Sequence, residues 1–281
     1  MHAVAQPGRD EALAASYLQE EAYNKAVELY QQLWEKSDYA PKFYAPYFKC
    51  LEKLKQYDNL EKAVKKQMKH FPSTAQYAVD LGYVYELAEQ PAKAKAQFEK
   101  ILKALPPNEN YIRDVATAFE GYKAFDYAIQ TYEKGAKMFN SSIIFAMPLA
   151  ISYDAKGDMP NAAKQYITFV ELQPGQAQIA KNTIMRSPNV SKLFAELETQ
   201  LYTKIQRGGG DEWLNDFLIW LYIQNKDFEG AMQQTKAIDR RKNENGFRVL
   251  NMARTAQAED FFDVAIDGFD YIIKKGKDNA L

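Results

Sequence analysis

Hydrophobic positions recur at spacings of three and four residues through most of this chain, which is the period of an amphipathic helix. Residues 80–107, DLGYVYELAEQPAKAKAQFEKILKALPP, contain two such runs separated by a short polar turn. Gly82 lies inside the first run, although glycine destabilises a helix by about 1 kcal/mol relative to alanine. The second run ends before Pro106, since proline disfavours helical geometry in the residue that precedes it. The pattern predicts two helices joined by a turn.

The same pattern repeats along the chain every 34 residues. The first five units begin at Pro7, Pro41, Ala75, Glu109 and Ile143. The eighth position of a unit is small in four of the five units, and Phe48 is the exception. The eleventh and twenty-fourth positions are large and mostly aromatic. We infer that Gly82 and its alanine counterparts let two helices approach closely, and that the packing gained exceeds the helical penalty.

The later part of the chain is less regular. We predict five regular repeats over residues 7–174, an irregular helical repeat with a glycine-rich hinge over residues 175–211, and two further repeats over residues 212–281. Residues 1–6 are predicted to be a disordered start. A short polar turn separates the two helices of many units, and its aspartates are expected to cap the second helix. These candidate caps are Asp58, Asp126, Asp158, Asp227 and Asp260.

The LGYVY segment, with Ala94, Phe98 and Pro106, resembles the tetratricopeptide repeat, a helix–turn–helix unit of 34 residues. The resemblance implies an all-α fold, an α-solenoid of about eight antiparallel helix pairs wound into a right-handed superhelix. Such helices are marginal alone in water, so each pair requires its neighbours for stability. More loosely, the chain is similar to the amino-terminal part of a large exported bacterial tetratricopeptide protein.

In the family that the chain resembles, the second, fifth, ninth and twelfth positions of each first helix face a concave groove. The resemblance therefore implies a partner-binding surface, and Lys42 and Phe247 are among the positions that face it. The candidate residues are Lys49, Val79, Tyr83, Arg113, Thr117, Ile144, Met147, Ile151, Trp213, Trp220 and Arg254. For the two tryptophans, a core position and a groove position are both open. No asparagine occupies the ninth position of the first five units, which puts a clamp for a terminal carboxylate in doubt.

Composition and charge limit the other possibilities. The 281 residues are 47% hydrophobic and carry a net charge of −1, so there is no bulk signal for nucleic acid or anionic membrane. The basic stretch 42–69 is interpreted as a solvated helix face. No apolar run approaches the roughly 20 residues that span a bilayer. Cys50 is the only cysteine and the two histidines are far apart, so we expect no intramolecular disulfide, metal site or cofactor.

No catalytic motif is present in the sequence. Gly208–Gly210 is followed by Asp211 rather than by lysine and a hydroxyl residue, which excludes a P-loop. We therefore expect no enzymatic activity within this chain. The main hypothesis is a scaffold that binds an extended or helical segment of another protein in the groove. The alternatives are a structural spacer within a larger cell-envelope protein or complex, and an enzyme whose catalytic domain lies beyond residue 281.

Two features of the sequence concern the cellular location of the protein and the continuation of the repeat array. Ala3-Val4-Ala5 before Gln6 is similar to the cleavage end of a secretory signal peptide, so an exported, periplasmic or cell-envelope location is expected, with a cytoplasmic location as the alternative. The last run, FFDVAIDGFDYIIKK, carries apolar residues at helical spacing without a polar capping helix. We expect the array to continue in the natural protein, or this end to be covered by a partner or a second copy.

Overall fold

The structure is a computed structural model that describes residues 7–208 and 211–278. Over these residues the regular structure is helical throughout, without a strand, and a single 3-10 turn lies at Pro174–Gln176. The helices are α1 (Pro7–Gln19), α2 (Tyr23–Lys36), α3 (Pro41–Lys53), α4 (Tyr57–His70), α5 (Ala75–Leu87), α6 (Pro91–Lys103), α7 (Glu109–Gly121), α8 (Phe125–Met138), α9 (Ala146–Lys156), α10 (Met159–Leu172), α11 (Ala177–Ile184), α12 (Val190–Gln206), α13 (Glu212–Gln224), α14 (Phe228–Lys242), α15 (Phe247–Ala258) and α16 (Phe262–Asp278).

The helix starts confirm the repeat. Helices α1, α3, α5 and α7 begin at residues 7, 41, 75 and 109, the first four predicted unit starts. Helix α13 begins at the predicted Glu212, and α15 begins one residue after the predicted Gly246. Helix α9 begins three residues after the predicted Ile143. The predicted all-α solenoid of tetratricopeptide-like helix pairs is therefore confirmed.

The chain forms two compact units, Met1–Phe139 and Asn140–Leu281. Each contains four helix pairs, α1 to α8 in the first unit and α9 to α16 in the second. In the first unit, neighbouring first helices are joined by the ion pair of Lys42 with Glu11, at 3.0 Å between Nζ and Oε2. Neighbouring second helices are joined by the Trp34 indole, which donates to Gln67 Oε1 at 2.7 Å. First helices thus lie beside first helices, and second helices beside second helices.

Gly82 marks a close approach of α5 and α6, as predicted. A Cβ atom added to Gly82 would lie 2.0 Å from Cε1 of Phe98, far inside an ordinary carbon–carbon contact. Phe98 is 2% exposed, and its ring packs edge-on against Phe119 with ring centroids 5.2 Å apart. The absence of a side chain at Gly82 therefore leaves the space that the Phe98 ring of the second helix fills.

Each regular helix pair turns at a left-handed residue, which the sequence did not reveal. The fifteenth position has φ between +56° and +65° in six units, and φ is +89° at Gly157. The next amide donates to the carbonyl five residues before it, as from Gln90 to Tyr85 at 2.8 Å. This arrangement is the Schellman motif that ends helices. Its residues are Glu21, Lys55, Glu89, Lys123, Gly157, Lys226 and Asp260.

The aspartate caps are confirmed at two of five positions. Asp158 and Asp227 each accept a hydrogen bond from the backbone amide three residues further on. The prediction is wrong for Asp58 and Asp126, which lie inside the first turns of α4 and α8 because those helices begin earlier. There their charges still favour the positive end of the helix dipole. It is also wrong for Asp260, which occupies the left-handed turn position.

Two predicted segments lie wholly or partly outside the described residues. These are the disordered start, residues 1–6, and Gly209 and Gly210 of the expected hinge. Gly208, which follows α12, has φ +98°. Helix α11 has only eight residues, in keeping with an irregular sixth repeat. Among the described helices, none combines the length and the apolar character needed to cross a bilayer.

Candidate functional site

The predicted surface of the first unit lies on α3, α5 and α7. Lys49 and Thr117 are exposed there, and Tyr83 and Arg113 are half-buried. The prediction is wrong for Val79, which is completely buried. Helix α5 is buried around most of its circumference, with seven of its 13 residues in the core, so its fifth position faces inward.

Polar groups of the first unit's surface pair with one another. The Tyr83 hydroxyl donates to Glu52 Oε1 at 2.8 Å, and its ring stacks on Tyr122 with centroids 3.9 Å apart. Burial, together with the Glu52 carboxylate, raises the pKa of Tyr83 to about 12. Arg113 forms an ion pair with Glu109 on its own helix, at 2.8 Å. The side chains that this surface exposes or half-exposes are thus polar or charged rather than aliphatic.

A buried carboxylate lies beneath Tyr83. Asp80 is 2% exposed and accepts hydrogen bonds from Tyr44 Oη at 2.8 Å, Gln76 Nε2 at 2.6 Å and Tyr122 Oη at 2.6 Å. Burial raises the pKa of the Asp80 carboxyl, although the three hydrogen bonds act in the opposite direction. The network connects α3, α5 and the turn after α7. Sequence reasoning missed it, and the available signal was an aspartate enclosed by apolar residues in AQYAVDLGYV.

In the second unit, the predicted residues divide between exposed and half-buried positions. Ile151 is 45% exposed and Met147 is half-buried, both on α9. Ile144 is half-buried but lies in the turn before α9, because that helix begins later than predicted. Arg254 and Phe247 are exposed on α15. The ninth position of the sixth repeat, Met185, was not predicted and is 48% exposed.

Trp220 lies at the junction of α11, α12 and α13. Its ring stacks on Phe217 at 5.5 Å between centroids and meets Phe194 edge-on at 6.0 Å. The Lys181 ammonium of α11 lies 5.4 Å from the ring centroid. The ring is half-buried, so it both packs in the unit and keeps one part open to solvent. We name the first-helix face of the second unit the apolar face. Its apolar members are Met147, Ile151, Met185 and Trp220, and it also includes the charged residues Lys181 and Asp216.

Trp213 has a different environment, although it lies on the same helix. The ammonium of Lys204, on α12, is 5.7 Å from its ring centroid. Lys204 also pairs with Glu171 on α10, at 2.6 Å. Trp213 therefore adjoins the second-helix layer, and Trp220 is the tryptophan that adjoins a neighbouring first helix.

The last helix, α16, exposes an apolar stripe. Phe262, Ile266 and Ile273 are 55%, 57% and 55% exposed. The corresponding positions of the preceding repeat begin with Phe228 and Met232, each 1% exposed because α15 and α16 cover them. The stripe therefore has the apolar character of a repeat-to-repeat interface.

The third corresponding position of that repeat is the buried carboxylate of Asp239. It is completely buried and accepts hydrogen bonds from the Gly246 amide at 2.8 Å, from Tyr271 Oη at 2.6 Å and from the Lys275 ammonium. Burial opposes ionisation, but these donors outweigh it and lower the pKa of Asp239. The pKa of Asp239 is thus shifted in the opposite direction to the pKa of Asp80 in the first unit.

Cysteine and histidine are rare in this chain, with one cysteine and two histidines. Within residues 7–208 and 211–278, no three His, Cys, Asp or Glu side chains are grouped so that they could hold a metal ion. Cys50 is completely buried, and burial raises the pKa of its thiol to about 11. His70 stacks on Tyr39 with ring centroids 4.0 Å apart. These groups are accounted for by packing.

No protein-family model matches the chain, and comparison with curated protein sequences gives no match. Solved structures that are similar in fold include MamA, residue 41 to the end, from Desulfovibrio magneticus RS-1, at 17% identity and a TM-score of 0.32, covering 62% of this chain and 99% of that one. A human IFIT1 dimer with PPP-AAAA is 14% identical with a TM-score of 0.29, covering 90% and 68%. The C-terminal part of a TPR repeat-containing protein from Cytophaga hutchinsonii is 18% identical with a TM-score of 0.31, covering 81% and 93%.

Proposed function

We propose that the chain is a non-catalytic protein-interaction scaffold, and that the apolar face binds a segment of another protein. The observation that carries this proposal is the exposure of Ile151 on α9 and of Met185 directly after α11, at 45% and 48%. The next first helix, α13, presents the half-buried Trp220. Tryptophan and methionine are enriched at the centres of protein interfaces. Because full burial of such a side chain contributes about 1.5–3 kcal/mol, covering the exposed half contributes about 1 kcal/mol for each.

The first unit is the weaker candidate for the principal contact. Its Glu52 and Tyr83 already hydrogen-bond to each other, and Lys42 pairs with Glu11. A partner that covers such groups must replace their water, which offsets much of the gain. We assign Lys49 and Thr117 a secondary role as polar contacts.

Site-specific photo-crosslinking tests the proposal. A photoreactive amino acid is placed at Ile151 or Met185, and at Leu172 or Tyr202 as matched controls. The controls are 51% and 50% exposed, but they lie on second helices of the same unit. Irradiation in an extract of the source cells should give discrete adducts from the first two positions and not from the controls.

Competition provides the specificity control. An excess of unlabelled wild-type chain should abolish the adducts, whereas an excess of an Ile151→Glu/Met185→Glu variant should not. Equal labelling from Leu172 and Tyr202, or equal competition by the double variant, would show that the apolar face is not the binding surface.

The alternative function, a structural part of a larger cell-envelope protein or complex, is supported by the apolar stripe of α16. A face of this kind fits another helical repeat better than solvent. Export is part of this alternative and depends on Ala3-Val4-Ala5, which lies outside the described residues, while a cytoplasmic location would favour the scaffold alone. Cell fractionation with an antibody against the chain distinguishes these locations.

A further inference from the structure

We propose that Lys181 makes the apolar face selective for a partner segment that carries an aspartate or glutamate side chain beside an aromatic or aliphatic residue. This inference depends on the proposed function, because it names the chemistry of the segment that the apolar face binds.

The Lys181 ammonium is half-buried without an anionic partner among the described residues. Its side chain is half-buried on α11, with Nζ over the Trp220 ring. Among the described residues, no carboxylate oxygen lies within the 4.0 Å ion-pair distance of this nitrogen. Burial lowers the pKa of Lys181, which shows that the environment disfavours its charge.

Asp216 is the carboxylate that attracts Lys181, but it already pairs with Arg248. Asp216, one turn before Trp220, attracts Lys181 electrostatically but is too far away to pair with it. Its Oδ1 accepts a hydrogen bond from Arg248 Nη1 at 2.7 Å. Arg248 also binds Glu212 and Glu244, so it holds Asp216 within an existing ion-pair network. The Lys181 ammonium can therefore pair with a carboxylate that a binding partner supplies.

Lys204 supplies an internal comparison. It too lies over a tryptophan of α13, with Nζ 5.7 Å from the Trp213 ring centroid. Unlike Lys181, it pairs with a carboxylate of its own unit, Glu171, at 2.6 Å. Of these two lysine–tryptophan pairs, only the one on the first-helix face lacks an anion.

The neighbours of Lys181 define the rest of the ligand. Met185, four residues after Lys181, follows the last residue of α11 and keeps helical backbone angles, so the two side chains lie on one side of the helix. Met185 is exposed and Trp220 is half-buried, and together they form an apolar contact next to the ammonium. A partner carboxylate adjacent to an apolar side chain would contact both, through a charge-assisted hydrogen bond to Lys181 and an apolar contact with Met185 and Trp220.

Selection from a random peptide library displayed on phage tests the inference. Peptides enriched on the wild-type chain are synthesised, and their dissociation constants are measured by fluorescence anisotropy. The variants are Lys181→Met, which keeps the apolar stem but removes the charge, and Lys204→Met as the matched control. We expect enriched peptides to contain Asp or Glu beside an apolar residue. Lys181→Met should weaken binding by about 10- to 100-fold, and Lys204→Met by less than about twofold.

Two peptide modifications identify the carboxylate. Changing the acidic residue to its amide should reproduce the loss seen with Lys181→Met, while amidation of the peptide C-terminus should leave binding unchanged. The inference is overturned if enriched peptides lack acidic residues, if Lys181→Met binds as wild type, or if C-terminal amidation alone abolishes binding. In those cases the proposed function stands. If no peptide is enriched on the folded chain and the crosslinking positions give no adducts, the proposed function itself fails.

Discussion

Replacing Gly82 with alanine adds one methyl group at the closest helix approach identified in the first unit. The new Cβ would lie 2.0 Å from a ring carbon of Phe98, whereas carbon atoms in contact are about 3.5–4.0 Å apart. The ring must therefore move by about 1.5 Å or more. It has little freedom to do so, because Phe119 and Tyr127 pack against it with centroids at 5.2 and 4.8 Å.

The expected cost follows from two opposing effects. Overpacking a well-filled core costs about 1–3 kcal/mol, and the extent of this overlap favours the upper end. Alanine regains about 1 kcal/mol of helix propensity over glycine. We expect Gly82→Ala to lower the free energy of unfolding by about 2 kcal/mol. For a chain of this size the midpoint of thermal unfolding would fall by about 3–4 °C.

The assay is urea and thermal unfolding followed by circular dichroism, with two comparison variants. Gly121→Ala adds the same methyl group at a helical glycine where no heavy atom lies within 4 Å, so it should be neutral or stabilise the chain by up to about 1 kcal/mol. Phe98→Leu should relieve the Gly82→Ala clash, so the double variant should be more stable than the sum of the single effects by about 1 kcal/mol or more. Stabilisation by Gly82→Ala equal to that by Gly121→Ala would contradict the close approach of α5 and α6 at this position.

Three further predictions concern other parts of the two units. At equivalent repeat positions, Met232→Ala should lower the free energy of unfolding by about 2–5 kcal/mol and Ile266→Ala by less than about 1 kcal/mol, as measured by urea denaturation, because only Met232 is buried. For Asp80, whose pKa is raised, the carboxyl favours folding most below its ordinary pKa and loses that advantage as pH rises through the folded value, so Asp80→Asn should be most destabilising in acid. For Asp239, whose pKa is lowered, the carboxylate's contribution to folding stability is present above the ordinary pKa and is lost as pH falls through the folded value. Asp239→Asn should therefore be most destabilising at neutral pH. Denaturation measured across pH 2–7 would refute this pair of predictions if both variants showed the same sign of pH dependence. Glu89→Gly, at a left-handed turn, should raise the midpoint of thermal unfolding slightly, and a clear fall would contradict the turn assignment.

The sequence was sufficient for the features that repeat. The 34-residue spacing, the helix starts and the role of Gly82 follow from periodic small, aromatic and proline positions, because each unit solves the same packing problem. The predicted caps Asp158 and Asp227 were also correct, because they occupy the same place in the repeated turn. The others failed because helix boundaries depend on turn geometry, and the left-handed residue of these turns is usually not glycine, so it leaves no compositional signal.

Features that depend on single long-range contacts were not predictable. The hydrogen bonds to Asp80 join residues from three different helix pairs, and the isolation of Lys181 depends on Asp216 being held by Arg248. Val79 was misassigned because the family's position rule assumes one open face on each first helix, whereas α5 is buried on most sides.

The left-handed turn at the fifteenth position of each regular unit has a consequence for how such an array changes length. Each regular helix pair carries its own termination signal, complete within a few consecutive residues and independent of the next pair. Insertion or loss of one whole period would keep every remaining turn in phase with its helices. A change of another length inside a helix would shift the turn out of register with the small and aromatic positions that pack the pair. Duplication or deletion of whole periods is therefore the route by which this scaffold can acquire a longer or shorter binding surface.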